Sequence, residues 1–526
     1  MNLLSLCLTL AAAAFCYITI FHFCHIFQLE GYKPREYVKW LGEFGGTRIA
    51  YTLGMAVLYV TMSTVLVIAH SLWAYIAGGI LALIFLGGCI FFPLQFGVKN
   101  AKLPLKYTWR VIRMLITEAV LLVGFAIICA YCSAPIMGIA VAGSCVLILA
   151  ANAINAPLEL LVKKHFFNDA KRKLEARPDI IKIGITGSYG KTSTKFILGT
   201  ILGEKYRVLV PPSSFNTPMG LTRVIREQLK EEHQVFIAEM GAKQVGDIAE
   251  LVELVHPAYG IITSVGPQHL ESFKSIENVA KTKYELIEGL PADGCAFFPN
   301  DQAYTKKLYE QTVCRKFLYA LDGEGDIRAE EVTVSEQGST FKVIYPQGSF
   351  EATTRLLGRH NVLNILGCVA IALELGLSEA QIAAGIAKIQ PVEHRLQLIK
   401  GAGGVTVIDD AFNSNPAGAK AAMDVLSAFS GRKFVVTPGM IESGERETLE
   451  NGLFGETMAK AADFVFLIGP KHTRPIYEGL ERAGFAMERV FVVKSLAEAS
   501  AQMGKMLKPG DVVLFENDLP DNYNEE

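Results

Sequence analysis

The sequence has little charge for its length. Of its 526 residues only 19% are Asp, Glu, Lys or Arg, and the formal net charge at pH 7 is −2. Because a nucleic-acid-binding surface needs a basic excess, we expect no nucleic acid among the partners of this chain. The ten cysteines show no spacing that indicates a zinc site or a disulfide framework, so we expect a reducing environment for the soluble part.

In place of charge the sequence has apolar residues, which make up 51% of the chain and are concentrated in its first third. Five apolar runs there are long enough to cross a bilayer. They lie at about residues 3–27, 50–70, 72–96, 111–130 and 135–154. The pattern predicts an all-α membrane domain of about five helices over residues 1–155, followed by a basic helical connector over 156–178.

Lys and Arg are confined to every second connection between these runs. The connections after the first, third and fifth runs are basic, whereas the turns around Ser71 and Ser133 contain no Lys or Arg. Since basic connections stay on the cytoplasmic side, we expect a multi-pass protein with its N-terminus outside and residues 155 onward in the cytoplasm. Membrane lipids are then among its partners. Glu118 is an ionisable residue within the fourth run, and whether it is functional stays open.

The stretch from Ile180 to Ser193 has the clearest chemical signature. A β-branched run predicts a buried strand, a glycine-rich turn follows, and a helix begins near Thr192. This order is the context of a phosphate-binding loop, in which backbone N–H groups and the helix N-terminus favour an anion. Lys191 can reach the outer phosphates of a nucleotide, and the Thr192 hydroxyl can ligate Mg²⁺. The predicted nucleotide-binding residues of this loop are Thr186, Gly187, Ser188, Tyr189, Gly190, Lys191, Thr192 and Ser193.

Two further predicted strands lead to side chains that can bind a metal. The run at 235–238 ends at Glu239, and the run at 259–265 is followed by His269. Because the carboxyl ends of parallel strands meet at one edge of a sheet, Thr192, Glu239 and His269 are predicted to bind Mg²⁺ there. The loop at 211–220 is either a plain connection or a place that contacts the substrate. Its candidate substrate residues are Ser213, Ser214, Asn216 and Thr217.

Three motifs in this order resemble the Mur ligases, the ATP-dependent amide ligases of peptidoglycan precursor synthesis. They are Thr186-Gly187-Ser188-x-Gly190-Lys191-Thr192, Glu239-Met240-Gly241-Ala242 and Gly266-Pro267-Gln268-His269-Leu270-Glu271. The nearest match is the type that adds D-alanyl-D-alanine. The resemblance covers about residues 179–515. It implies two α/β domains, a P-loop ATPase-like central domain over 179–390 and a Rossmann-like C-terminal domain over 391–526.

The resemblance also implies roles for individual residues. Lys283 lies where the family has a carbamylated lysine, whose negative charge can support a second Mg²⁺ where a free lysine would repel it. The implied catalytic residues are Lys191, Lys283, Glu239, His269 and Arg395. The further residues implied to contact ATP are Asn300, His360, Asn361, Arg395 and Asp410. Asn413 and Asn415 lie in a family-like segment and are implied substrate residues.

The sequence departs from the family pattern in several places. Ser264 stands where the family usually has Asn, and Phe412 replaces a Tyr. Residues 515–521 replace the usual Lys-Gly-Ser. The five apolar runs occupy the place of the domain that binds the uridine nucleotide in enzymes of this type.

Three functions therefore stay open. The first is a ligase of the bacterial cytoplasmic membrane that joins D-Ala-D-Ala, or a similar amino acid or dipeptide, to the carboxylate of a peptide-bearing cell-wall precursor. It would use ATP and Mg²⁺, pass through an acyl phosphate, and release ADP and phosphate. The second keeps this chemistry but acts on a lipid-linked or polymeric envelope substrate. The third is an ATP-driven membrane transporter or sensor, which Glu118 would suit.

Overall fold

The computed structural model describes residues 3–69, 71–97, 104–132, 135–212, 215–268, 270–412, 414–440 and 446–518. The chain divides into two compact units, Met1–Lys164 and His165–Glu526.

The first unit is helical, as the five apolar runs predict. Five of its helices are long and apolar enough to cross a membrane, judged by length and composition. They are α1 (Leu3–Leu29), α3 (Gly46–Ile68), α4 (Leu72–Phe96), α5 (Trp109–Cys132) and α7 (Ser144–Glu175). Helix α1 packs against α4 and α5, and the aromatic side chains of Phe15, Phe85 and Phe92 are fully buried in the core between α1 and α4.

Two features of this unit differ from the prediction. The fifth run is broken at Gly143, which separates α6 (Met137–Ala142) from α7. Helix α7 then continues to Glu175, so most of the predicted connector belongs to the same helix as the end of the fifth run. The basic connection after α1 contains a further helix, α2 (Pro34–Phe44), with Pro34 in its first turn, where a missing N–H costs nothing.

A nine-stranded sheet forms the first part of the second unit. Its order is β2-β3-β1-β4-β5-β6-β7-β8-β9. The strands are β1 (Ile181–Thr186), β2 (Val208–Leu209), β3 (Val235–Glu239), β4 (Tyr259–Ile262), β5 (Cys295–Pro299), β6 (Arg315–Ala320), β7 (Ile327–Ser335), β8 (Gly338–Tyr345) and β9 (Gly348–Thr354). Strands β1 to β7 run parallel, and β8 and β9 follow β7 in antiparallel pairing. The sequence analysis did not predict β7, β8 or β9.

Both faces of this sheet are covered, because alternate residues of its strands belong to two different cores. Ile183, Ile185 and Ile237 pack on the side of α8 (Lys191–Leu202) and α14 (Arg359–Glu374), whereas Phe236 and Ala238 face the opposite core. The other helices of this part are α9 (Pro218–Gln228), α10 (Asp247–Val255), α11 (Leu270–Phe273), α12 (Ile276–Glu288), α13 (Ala303–Gln311) and α15 (Glu379–Lys388). Strands buried on both faces explain the continuous apolar runs in the sequence.

The C-terminal part is a second α/β sheet, as predicted. Its strand order is β10-β11-β15-β12-β13-β14, with β10 antiparallel at the edge and the others parallel. The strands are β10 (Gln397–Lys400), β11 (Thr406–Asp410), β12 (Lys433–Thr437), β13 (Phe464–Ile468), β14 (Val490–Val493) and β15 (Val512–Glu516). The helices are α16 (Pro416–Ser427), α17 (Glu447–Ala461), α18 (Arg474–Arg482) and α19 (Leu496–Met503). The layout of five apolar helices followed by two α/β domains is therefore confirmed.

Candidate active site

The glycine-rich loop after β1 is shaped by two glycines in left-handed conformations. Gly187 has φ +156° and Gly190 has φ +83°. A Cβ on Gly187 would collide with the Thr263 hydroxyl, and a Cβ on Gly190 would come within 2.9 Å of Asn364 Oδ1. Only glycine fits both positions, so the loop lies closely against its neighbours.

Hydrogen bonds attach this loop to the segment that follows β4. The Ser188 hydroxyl donates to the Gly266 carbonyl and accepts from the Gly266 N–H, both at 2.9 Å. Ser264, the residue that departs from the family pattern, accepts from the Tyr189 N–H through its Oγ at 2.7 Å. At the position where the family usually has Asn, a serine hydroxyl therefore binds the loop.

Lys191 folds back over the loop that precedes it. Its Nζ donates to the carbonyl of Gly187 at 2.5 Å and to that of Ser188 at 3.2 Å. Burial lowers the pKa of Lys191 to about 8, against the opposing effect of the Glu239 carboxylate. A phosphate group bound on the loop would therefore contact the Lys191 amine. Because this amine is removed from water, its attraction to the phosphate charge would be stronger than at an exposed site.

Glu239, at the end of β3, is 1% exposed and lies beside the loop. Its Oε1 accepts hydrogen bonds from Thr192 Oγ1 at 3.0 Å and from Asn216 Nδ2 at 3.1 Å. Its Oε2 lies 3.2 Å from the Lys195 ammonium, but it accepts no hydrogen bond from the described residues. A buried carboxylate next to a threonine hydroxyl offers the oxygen ligands that Mg²⁺ prefers.

Lys195 was missed by the sequence analysis. It lies one turn after Lys191 on α8, is 0% exposed, and faces the Phe196 ring at 4.6 Å as well as Glu239. Burial lowers its pKa, while Glu239 opposes that shift. The sequence did contain a signal for Lys195. It lies four residues after Lys191, and this spacing puts both side chains on one face of α8.

Lys283, on α12, is 2% exposed. Burial and the neighbouring Lys191 charge lower the pKa of Lys283 well below its ordinary value. Lys281, two residues earlier, is exposed. The two lysines of this segment therefore lie in opposite environments, and the buried one favours the neutral amine.

Arg395 approaches the site from the C-terminal domain. Its guanidinium lies 4.4 Å from the centre of the Phe412 ring. The residues before and after Arg395 in the sequence, His394 and Leu396, have positive φ values of +58° and +48°. Burial lowers the pKa of Arg395, and the carboxylates of Glu239 and Asp410 counteract that shift. The charge of Arg395 is thus within electrostatic range of Glu239, across the boundary between the two sheets.

Asp410, implied to contact ATP, ends β11 and accepts from the Leu396 N–H at 3.1 Å, while burial raises its pKa to about 6. Other predicted residues are engaged in local structure. Asn300 donates to the Glu324 carbonyl at 2.7 Å, and Asn361 donates to the Leu357 carbonyl at 2.9 Å.

The predicted substrate residues that are described cap helices or support Glu239. Thr217 caps α9, and Asn415 caps α16 by accepting from the Gly418 N–H at 2.9 Å. Asn216 supports Glu239. Four predicted site residues lie outside the described residues: Ser213, Ser214, His269 and Asn413. Asn364, which the sequence analysis did not single out, lies beside Gly190, since a Cβ added there would come within 2.9 Å of Asn364 Oδ1.

The end of β15 and the residue after it form a buried polar network in place of the family's Lys-Gly-Ser. The Glu516 carboxylate is 1% exposed and accepts hydrogen bonds from the hydroxyls of Ser414 and, at 2.9 Å, Thr437. Asn517 has φ +68° and donates to the Gly439 carbonyl at 2.6 Å. Burial raises the pKa of Glu516 to about 7. The departure from the family pattern thus ties together the carboxyl ends of three strands.

This loop, its lysine and the adjacent threonine–glutamate pair define a P-loop nucleotide-binding enzyme with two α/β domains. The Mur ligase middle domain profile matches residues 185–372, and the Mur ligase, glutamate ligase domain profile matches 394–516. The UDP-N-acetylmuramoyl-tripeptide–D-alanyl-D-alanine ligase of Bacillus subtilis is 30% identical over 336 residues, 63% of this chain and 72% of that protein. The enzyme of the same name from Mycobacterium tuberculosis is 33% identical over 357 residues, 63% of this chain and 69% of that protein.

Solved structures agree. MurF from Acinetobacter baumannii superposes with a TM-score of 0.62 at 27% identity, over 68% of this chain and 77% of that one. The fold of Thermotoga maritima MurF, solved with ADP, gives a TM-score of 0.62 at 24% identity, over 68% and 81% of the two chains. The chain belongs to the Mur ligase family and is MurF-like within it. It is an ATP-dependent ligase of peptidoglycan precursor synthesis, in a family that uses ATP and Mg²⁺.

Proposed function

We propose that this chain forms an amide bond between the carboxylate of a peptide-bearing cell-wall precursor and D-Ala-D-Ala or a similar amine, at the inner face of the bacterial cytoplasmic membrane. The observation that carries the proposal is the cluster of Lys191 with the buried residues Thr192, Glu239 and Lys283, together with Arg395 in electrostatic range of Glu239. Phosphate transfer to a carboxylate needs positive charge beside the transferred group, where negative charge accumulates, and Lys191 and Arg395 would supply it.

In the first step of the proposed reaction the precursor carboxylate attacks the γ-phosphorus of ATP. The bond to the β,γ-bridging oxygen breaks, and ADP leaves with that electron pair. Lys191 and Arg395 offset the charge on the transferred phosphate. In the second step the amine attacks the acyl carbon, phosphate leaves, and the amine nitrogen releases its extra proton.

Thr192, Glu239 and His269 would hold Mg²⁺, and the pairing of the buried Glu239 carboxylate with the Thr192 hydroxyl supports this assignment. The metal would supply charge neutralisation for the phosphates. Asn216 and Lys195 orient the Glu239 carboxylate from its two sides.

We assign a carbamate to Lys283. Its neutral amine would attack the carbon of CO₂, and the nitrogen would lose a proton to solvent, which leaves an N-linked carboxylate. Burial favours the neutral amine that this step needs, and the new carboxylate would hold a second Mg²⁺ close to Lys191.

The five apolar helices favour one alternative for the acceptor. They lie N-terminal to both profile matches, the first of which begins at residue 185. An acceptor linked to a lipid or an envelope polymer would be presented at the membrane surface, where the ligase domains would lie in the proposed topology. Family membership leaves the transporter or sensor alternative without support.

An assay with the full chain in lipid nanodiscs separates the two acceptors. ADP release is measured with ATP, Mg²⁺ and bicarbonate, with each acceptor alone and together with D-Ala-D-Ala. Release that requires both D-Ala-D-Ala and UDP-N-acetylmuramoyl-tripeptide supports the first acceptor. ADP release only with the lipid-linked tripeptide supports the second acceptor. ADP release at the same rate with and without any acceptor refutes amide ligation.

A further inference from the structure

Two buried polar residues at the end of β15 have no part in the ligase chemistry described above. Glu516 is the last residue of β15, and Asn517 follows it, in the place of the family's Lys-Gly-Ser. They are 1% and 9% exposed. Because a buried carboxylate is costly unless hydrogen bonds compensate it, the partners of Glu516 indicate what this pair holds in place.

Both residues bind the segment that follows β11 through Ser414. The Ser414 hydroxyl donates to Glu516 Oε1, and the Ser414 N–H donates to Asn517 Oδ1 at 3.1 Å. The second oxygen of Glu516 accepts from the Thr437 hydroxyl, at the end of β12. The segment around Ser414 is therefore attached to the end of β15 by its side chain and its backbone together.

Asn517 also connects the end of β15 to the backbone beside Arg395. Its N–H donates to the Asp410 carbonyl at 3.2 Å, and Asp410 and Glu516 are paired residues of the neighbouring strands β11 and β15. The Asp410 carboxylate in turn accepts from the N–H of Leu396, which directly follows Arg395. A continuous set of hydrogen bonds therefore runs from Asn517 to the residue next to Arg395.

The side chain of Arg395 rests on the same attached segment. Its guanidinium lies 4.4 Å from the centre of the Phe412 ring, and Phe412 is two residues before Ser414. The Phe412 ring is 48% exposed, so packing around the ring fixes its position only in part. The attachment of Ser414 to β15 supplies a further constraint on this ring.

We propose that Glu516 and Asn517 are positioning residues for Arg395. They hold both supports of this arginine, which are the Asp410 carboxylate beside its backbone and the segment that carries the Phe412 ring. A group that offsets charge in a transition state must be held within about 0.5 Å of its productive position. The inference rests on the role of Arg395 in phosphate transfer under the proposed function.

A double-mutant cycle with the full chain in lipid nanodiscs tests the inference. ADP release gives kcat and KM for ATP in the wild type, E516Q, R395A and the double variant, with D-Ala-D-Ala and whichever tripeptide acceptor, UDP-linked or lipid-linked, supports turnover. E516Q should lower kcat about 10-fold and leave KM for ATP within about twofold of the wild type, because Arg395 acts on charge that develops during phosphate transfer. In the R395A background the same substitution should change kcat by less than about twofold.

The matched control is D511N, at the opposite end of β15. Asp511 is 4% exposed and accepts hydrogen bonds from Arg432 at 2.9 and 2.6 Å. D511N should lower the midpoint of thermal unfolding and leave kcat unchanged, since it weakens the same sheet away from Arg395. If E516Q does not reconstitute, N517G replaces it, because glycine adopts the φ of +68° and lacks only the side chain.

Three results would overturn the proposal. They are a wild-type kcat in E516Q, an equal loss of kcat from this substitution with and without Arg395, and a loss of kcat in D511N as large as that in E516Q. Failure of the proposed function is a separate outcome, in which no acceptor stimulates ADP release. The cycle is then evaluated on the acceptor-independent rate, by the same criteria.

Discussion

At the residue scale, the active site concentrates buried amines around the carboxylate of Glu239. Lys195 is paired with it, Lys191 is held by loop carbonyls, and Lys283 is close enough to Lys191 for each charge to disfavour the other. Such an arrangement is costly without an anion, and a polyphosphate relieves it. The charge of Lys191 and Lys195 therefore favours binding of the ATP phosphates.

The two lysines of α12 provide a test of the carbamate. K283A should lower ligase activity on the order of 100-fold, because it removes a group that would support the metal. K281A changes an exposed side chain and should leave activity near the wild-type value. Activity is measured as ADP release with saturating substrates, with and without bicarbonate. Equal losses in the two variants would contradict the assignment.

The loop glycines provide a second residue-scale prediction. G190A places a Cβ against Asn364 in a left-handed conformation, so it should weaken ATP binding at least ~10-fold. The matched control is G246A, because Gly246 has φ +93° and nothing within 4 Å of its Cβ position. Both variants carry a backbone cost of roughly 1–2 kcal/mol. Calorimetric titration with ATP should separate them, and a similar ATP affinity in both would refute the packing argument.

At the element scale, strand order brings the site residues together. Strand β1 lies between β3 and β4, with Ile185 opposite Glu239 and Thr186 opposite Ile262. The carboxyl ends of these neighbours therefore meet at the start of α8, which carries Lys191 and Thr192. Helices α14 and α15 pack on α8 and hold that start in place.

The capping box of α15 tests this support. The Ser378 hydroxyl accepts from the Gln381 N–H, and the Gln381 side chain accepts from the Ser378 N–H. S378A should lower the free energy of unfolding by about 1 kcal/mol. The control is S349A, at an exposed position of β9. Thermal unfolding of the full chain in detergent checks both, and equal midpoints would show that the cap contributes nothing.

At the scale of the whole molecule, the chain combines a helical unit of 164 residues with a ligase unit that begins at His165. The basic connections flank alternate apolar helices, which favours a cytoplasmic ligase. This orientation would give the ligase unit access to the ATP of the cytoplasm.

Membrane vesicles of both orientations test the topology. With an epitope tag at the C-terminus, external protease should leave the ligase unit intact in right-side-out vesicles and digest it in inside-out vesicles. Detergent treatment should make both samples equally sensitive, which serves as the control. Digestion in right-side-out vesicles would place the ligase unit outside the cell and contradict the proposed use of cytoplasmic ATP.

The sequence by itself determined the elements whose signals are local. Apolar length predicted the five helices, and the motif around Lys191 predicted the strand, loop and helix that the structure has at 181–202. The antiparallel strands β7 to β9 were missed, because their half-exposed residues lack a continuous apolar run. A helix break at Gly143 was missed too, since the residues on both sides of it are equally apolar.

Only the tertiary structure decided which side chains meet. Thr192 donates to Glu239, which is 47 positions away, and Arg113 donates to Glu159, which is 46 positions away. The burial of Lys195 depends on the segments that pack around it. The opposite environments of Lys281 and Lys283 likewise follow from how α12 packs. Local sequence sets backbone conformation and apolar faces, whereas charge pairing and burial are set by distant segments that fold against each other.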